Sequence, residues 1–101
     1  MPVTVTRDHR DMTAYLSGEI DHHGAREIMN ALDREIDGAL PLRLMLDLSG
    51  VTFMDSSGIA VLLRAWRRMN ELEGSVSVTH IPAQPRRVLD AAGVGRIMTF
   101  L

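Results

Sequence analysis

The sequence predicts an α/β fold: a small mixed, mostly parallel sheet with three helices, in the order β-β-α-β-α-β-α-β. Two observations carry this. Apolar residues switch repeatedly between a spacing of two, which marks a strand, and a spacing near 3.6, which marks a helix. The run Leu44-Met45-Leu46 is apolar on both faces, as a strand in the middle of a sheet requires. Strands that alternate with helices imply parallel pairing through right-handed crossovers, with only the first strand antiparallel. The three helices could share one face of the sheet or be split between two. At 101 residues, a single domain over 1–101 is expected.

The elements follow in order. Val3 and Val5 alternate with Thr4 and Thr6, which predicts a half-buried first strand, and Asp8-His9-Arg10-Asp11 reads as a turn. Met12, Ala14 and Leu16 alternate with Thr13, Tyr15 and Ser17, so a second strand pairs back as a hairpin and ends at Gly18-Glu19-Ile20-Asp21. Ala25, Ile28, Met29, Leu32 and Ile36 then keep helical spacing. Asp21 or His22 caps that helix, and Gly38 and Pro41 stop it. The third strand lies within Leu42–Leu48, and Ser49 to Gly58 is read as a loop into the second helix. Ile59, Leu62, Leu63, Trp66 and Met69 form that helix's apolar face, while Arg64, Arg67 and Arg68 lie largely opposite, with Glu71 in reach. Gly74 ends it. Val76 and Val78 mark a fourth strand; Pro85 suits the first turn of a third helix, with Gly93 just past its end; and Ile97–Leu101 reads as the last strand.

Composition narrows the function classes. Eleven Lys+Arg against thirteen Asp+Glu give a net charge of −2, too little positive field for non-specific phosphate binding. Tyr15, Phe53, Trp66 and Phe100 do not cluster as a base-stacking platform, so no direct nucleic-acid partner is expected. There is no cysteine, which removes disulfides, thiolate catalysis and thiolate metal sites and fits a cytoplasmic location. The first eight residues lack the blocks of a signal peptide, and no apolar run approaches the ~20 residues of a membrane span.

The segment richest in chemistry is Phe53-Met54-Asp55-Ser56-Ser57-Gly58-Ile59. A chain leaving a buried strand to open a helix brings Ser56 to the carboxyl edge of the sheet, where ligands and partners of parallel α/β folds bind. Asp and Ser are also strong helix caps, so the same residues could simply satisfy free amide groups. Gly58 permits a close backbone approach. Residue types alone leave both readings standing.

A family resemblance adds context. Gly18-Glu19-Ile20-Asp21-His22-His23, with Leu46-Asp47-Leu48-Ser49-Gly50-Val51-Thr52-Phe53-Met54-Asp55-Ser56-Ser57-Gly58-Ile59, resembles the bacterial anti-sigma factor antagonists of the wider STAS domain family. The likeness is strongest to the sporulation members that antagonise the anti-sigma F factor, and it covers nearly the whole chain. It implies a STAS-like fold and a protein that binds an anti-sigma factor and so frees a sigma factor. It also implies that this partner is a serine kinase which phosphorylates Ser56, the first serine of the Asp-Ser-Ser-Gly motif, and that a serine phosphatase resets the switch. Asp21, Asp55, Ser56, Ser57 and Gly58 are then the expected partner-binding residues.

Other function classes find less support. His22-His23 could suggest a metal site, but neighbouring helical residues point about 100° apart and a second ligand pair is missing, so no metal is expected. No Gly-x-Ser-x-Gly elbow, Walker loop or dinucleotide fingerprint occurs, so neither a catalytic residue nor a cofactor is expected. The chain is expected to be a kinase substrate rather than an enzyme. Two alternatives use the same fold: a stand-alone STAS accessory subunit of a membrane transport system, and a small-molecule or nucleotide sensor.

Overall fold

A computed structural model of the chain describes residues 2–101. Five strands form one sheet in the order β1-β2-β3-β4-β5: β1 is Val3–Asp8, β2 Asp11–Ile20, β3 Arg43–Met54, β4 Ser75–Thr79 and β5 Thr99–Phe100. Between them lie α1 (His22–Ala39), α2 (Ser56–Glu71) and α3 (Ala83–Ala91), with a short 3-10 turn at Val94–Arg96. β1 pairs antiparallel with β2, and every later pairing is parallel. The predicted element order and the single antiparallel strand are both present.

Strand alternation sorts the sheet into two unlike faces. Val3, Met12, Ala14, Leu16, Leu44, Leu46, Val76 and Val78 are buried on one side. Against them pack Ala25, Ile28, Leu32 and Ile36 of α1, Val61, Leu62, Ala65 and Met69 of α2, and Leu89 of α3. On the other side Thr4, Thr6, Thr13, Tyr15, Met45, Ser75 and Ser77 are exposed or half-buried. All three helices therefore share one face, which resolves the arrangement that the sequence left open.

Four local readings change. β3 does not stop at Leu48; it runs on to Met54, so Ser49 to Met54 is strand rather than loop, and Ser56 to Gly58 already form the first turn of α2. Its last residues pair with β2 through Gly50, Val51, Phe53 and Met54, with register shifts that accommodate the polar Ser49-Gly50 step. A side chain at Gly50 would meet the Ser17 Cβ at 3.0 Å, so the two strands close up because Gly50 has none. The buried stripe of α2 is Gly58, Val61, Leu62, Ala65 and Met69; Ile59, Leu63 and Trp66 are only half-buried. Small residues at 58, 61 and 65 let the helix lie close to the sheet. Finally, β5 holds only Thr99–Phe100, because Val94–Arg96 spends the preceding residues on a turn.

α1 also outlasts its expected stop. Gly38 lies within it, and the helix ends when Leu40 turns left-handed (φ 47°) and donates its N–H to Ile36 O at 2.7 Å. Pro41 follows; it cannot donate, and it disfavours helical geometry in the residue before it.

Candidate functional site

The parallel pairing of β2 with β3 aligns Ile20 with Met54, so both strands end side by side at the carboxyl edge. Asp55 N–H donates to Ile20 O at 3.2 Å and closes that last rung. The next residue on each strand is an aspartate that starts a helix. Asp21 accepts a hydrogen bond from Gly24 N–H at 2.8 Å, and Asp55 accepts one from Ser57 N–H at 2.7 Å. Each carboxylate satisfies an amide that the first helical turn would otherwise leave unpaired. Two helix starts thus stand together on one edge, with their positive dipole ends facing the same way.

Ser56 is the first residue of α2, and it is exposed. The capping of α2 is done by Asp55, whose carboxylate takes the Ser57 amide and whose carbonyl takes the Gly58 amide at 3.0 Å. Among the described residues no hydrogen bond engages the Ser56 hydroxyl. Ser57 is half-buried beside it and Asp55 is half-buried before it. Gly58 is buried, and an added Cβ would come within 2.3 Å of Met54 Cγ. Its part is therefore to seat α2 against the end of β3, not to present a surface.

Two residues that shape this edge carry no obvious mark in the sequence. Gly24 lies in the first turn of α1, where a Cβ would fall 2.2 Å from Glu19 O, so a side chain there has no room. Gln84, in the first turn of α3, accepts from Met54 N–H at 2.8 Å and donates from Nε2 to Met54 O at 2.7 Å. Gly24 was legible in principle as a glycine just inside a helix start. Gln84 was not, since its partner is backbone 30 residues away.

A groove of about 400 Å³ separates the first turns of α1 and α2, walled by His22, Arg26, Asn30, Ser57 and Arg64 among others. Farther along, ion pairs join the two helices: Arg64 grips Asp33 through two nitrogens, at 2.7 and 3.1 Å, and Arg68 reaches Asp37 at 2.9 Å; within α2, Arg68 also meets Glu71 at 3.7 Å. Arg64 and Arg68, on the side of α2 away from its apolar face, thus brace α2 to α1. His22 is exposed, and His23 meets Glu27 at 3.4 Å one helical turn on. Among the described residues, no group of three or more His, Cys, Asp or Glu side chains is placed to hold a metal ion, and no helix is long and apolar enough to cross a membrane.

Comparison with known proteins places this geometry. Residues 2–101 match the STAS domain family. The anti-sigma F factor antagonist of Paenibacillus polymyxa is 34% identical over 82% of this chain and 71% of its own length. An anti-sigma factor antagonist from Mycobacterium paratuberculosis superposes with a TM-score of 0.85 at 23% identity, over 97% of this chain and 82% of that one. The antagonist SpoIIAA superposes in its unphosphorylated form with a TM-score of 0.81 at 22% identity, over 98% and 87% of the two chains. The phosphorylated form of SpoIIAA from Bacillus gives 0.73 at 22% identity, over 98% and 90%.

Proposed function

Since the chain belongs to the STAS domain family, we propose that it is an anti-sigma factor antagonist switched by phosphorylation of Ser56. Unphosphorylated, it binds an anti-sigma factor that is also a serine kinase, and so frees the sigma factor for transcription. The kinase transfers phosphate to the Ser56 hydroxyl, the complex is lost, and a serine phosphatase restores it. The chain acts as a substrate and a binding partner, not as a catalyst. One observation carries this reading: Ser56 is exposed as the first residue of α2, with its hydroxyl uncommitted, at an edge where Asp21 and Asp55 also lie. A relative at 34% identity that is named an anti-sigma F factor antagonist supports the partner class.

The physics of the switch is local. A phosphate adds about −1.5 to −2 charges and three acceptor oxygens at one point. At a helix start, the dipole favours that charge by roughly 0.3–1 kcal/mol, so the fold tolerates it. The fold match to a neighbour in both its unphosphorylated and phosphorylated forms is consistent with such tolerance. In a complex the phosphate sits beside the Asp55 carboxylate and loses water. A thousandfold loss of affinity needs only about 4 kcal/mol, a scale within reach of like charges and an unpaired anion in an interface.

The test is incubation with the anti-sigma kinase and ATP, followed by mapping of the modified residue. Ser56→Ala should stay folded, bind the kinase within about threefold of wild type, and take up no phosphate. Phosphate on the alanine protein would move the acceptor to Ser57 or elsewhere. Equal kinase affinity for modified and unmodified wild type would reject the switch itself.

A further inference from the structure

The last part of β3 has a neighbour on one side only. β4 pairs with β3 from Arg43 to Asp47 and ends at Thr79, whereas β3 continues to Met54. On the β2 side the extension is held by strand pairing through Met54 and by the Asp55 amide on Ile20 O. In a parallel strand the N–H and C=O of one residue point the same way, so those of Met54 face the side that β4 has left open. Gln84 fills that place. Its side-chain amide accepts from Met54 N–H at 2.8 Å and donates to Met54 O at 2.7 Å, as the backbone of a neighbouring strand would.

Met54 is also where the helix start is anchored. Its side chain is fully buried, Gly58 lies directly against it, and Asp55 and Ser56 follow it in the chain. Backbone groups away from water are rarely left unpaired, and no strand is present to pair these two. We propose that Gln84 is a positioning residue for the switch: by holding the Met54 peptide groups from α3, it fixes where the Ser56 hydroxyl is presented, without touching Ser56. This rests on the reading of Ser56 as the acceptor. It extends that reading to a third element, α3, which bears no residue of the Asp-Ser-Ser-Gly motif.

Amide hydrogen exchange on the intact chain, read residue by residue, tests the local claim in wild type, Gln84→Ala and Gln84→Glu. Alanine removes both bonds; glutamate keeps an acceptor for Met54 N–H and loses the donor to Met54 O. The Met54 amide should therefore exchange at least tenfold faster in the alanine protein yet remain protected in the glutamate protein. The Ser57 and Gly58 amides should loosen in both, with the β1–β2 amides unchanged. The functional claim is read with the anti-sigma kinase and ATP: Gln84→Ala should lower kcat/KM for phosphorylation about tenfold, with the phosphate still on Ser56. Unaltered exchange from Met54 to Gly58 in Gln84→Ala, or loosening spread evenly through the sheet, would overturn the positioning role. Local loosening with an unchanged phosphorylation rate would also overturn it while leaving Ser56 as the acceptor. Wild type that takes no phosphate at Ser56 would sink the reading beneath it, and the exchange pattern would still decide whether Gln84 holds the end of β3.

Discussion

Asp21 and Asp55 do the same local work at two neighbouring helix starts, each turning its carboxylate back to a first-turn amide. With Asp55 holding the cap, Ser56 contributes a first-turn backbone position and nothing from its side chain, which leaves the hydroxyl free to be modified. Asp47 is a carboxylate of another kind. It is 8% exposed, accepts from Ser49 N–H at 2.9 Å, and lies 3.2 Å from His80 Nδ1. Burial by itself would raise its pKa, but hydrogen bonds from the Ser49 side chain and backbone and the nearby His80 outweigh burial and hold it below the ordinary 3.8. A carboxylate whose pKa is lower folded than unfolded favours the native state when ionised. Its contribution is complete above the unfolded value near 4 and disappears as pH falls through the lower folded value. Asp47→Asn should thus be less stable than wild type by about 1 kcal/mol at pH 7. Urea midpoints of the two proteins should converge as the solution is acidified, and a gap that stays constant down to pH 3 would reject this role.

Two glycines lie inside α1, and they differ in what a side chain would meet there. Gly24 has the Glu19 carbonyl oxygen where its Cβ would be, and backbone cannot swing aside as a flexible side chain can. Gly38 meets nothing within 4 Å and lies inside α1 with ordinary helical geometry. Gly24→Ala should therefore destabilise the protein by about 3 kcal/mol, as overpacking does. Gly38→Ala should stabilise it by roughly 0.5–1 kcal/mol, because alanine loses less backbone freedom on folding. Thermal melts of the two variants decide it: shifts of the same sign would contradict the packing. The same elements show what could be read from sequence. The strand–helix order and the capping character of Asp55 were legible, because each rests on apolar spacing or on a cap that acts within four residues, although α2 begins at Ser56 and not after Gly58. The extension of β3 was not, because Ser49 and Gly50 look like turn residues. Only the pairing of Gly50 with Ser17 and of Val51 with Gly18 reveals a strand with shifted register. The stripe of α2 was misjudged for a related reason: bulk suggested Ile59 and Trp66, whereas the small Gly58, Val61 and Ala65 are what fit under the helix. Gln84 was invisible, since a glutamine that pairs with distant backbone resembles any exposed glutamine.

At the scale of the whole molecule, the helices cover one face of the sheet, the other face is open, and the proposed switch sits on neither. It occupies the carboxyl edge, where β2 and β3 hand over to α1 and α2. Stability comes from the closed face, where side chains such as Leu46, Leu62 and Ile28 are fully buried. Charge added at the edge should therefore perturb binding without entering the core, and charge added on the open face should perturb neither. Ser56→Asp places one negative charge at the start of α2, where the dipole favours it by roughly 0.3–1 kcal/mol and the neighbouring Asp55 opposes it. Its melting temperature should stay within about 5 °C of wild type, since 1 kcal/mol moves a domain of this size by roughly 4–8 °C. Its affinity for the anti-sigma kinase should fall at least tenfold. Thr6→Lys and Ser75→Lys, at exposed positions of β1 and β4, should change stability by less than about 0.5 kcal/mol and leave that affinity within twofold. Calorimetric melts and titration calorimetry with the kinase separate the two regions. If the open-face lysines weaken the complex as much as Ser56→Asp does, the partner covers the bare side of the sheet and the edge is not the docking surface.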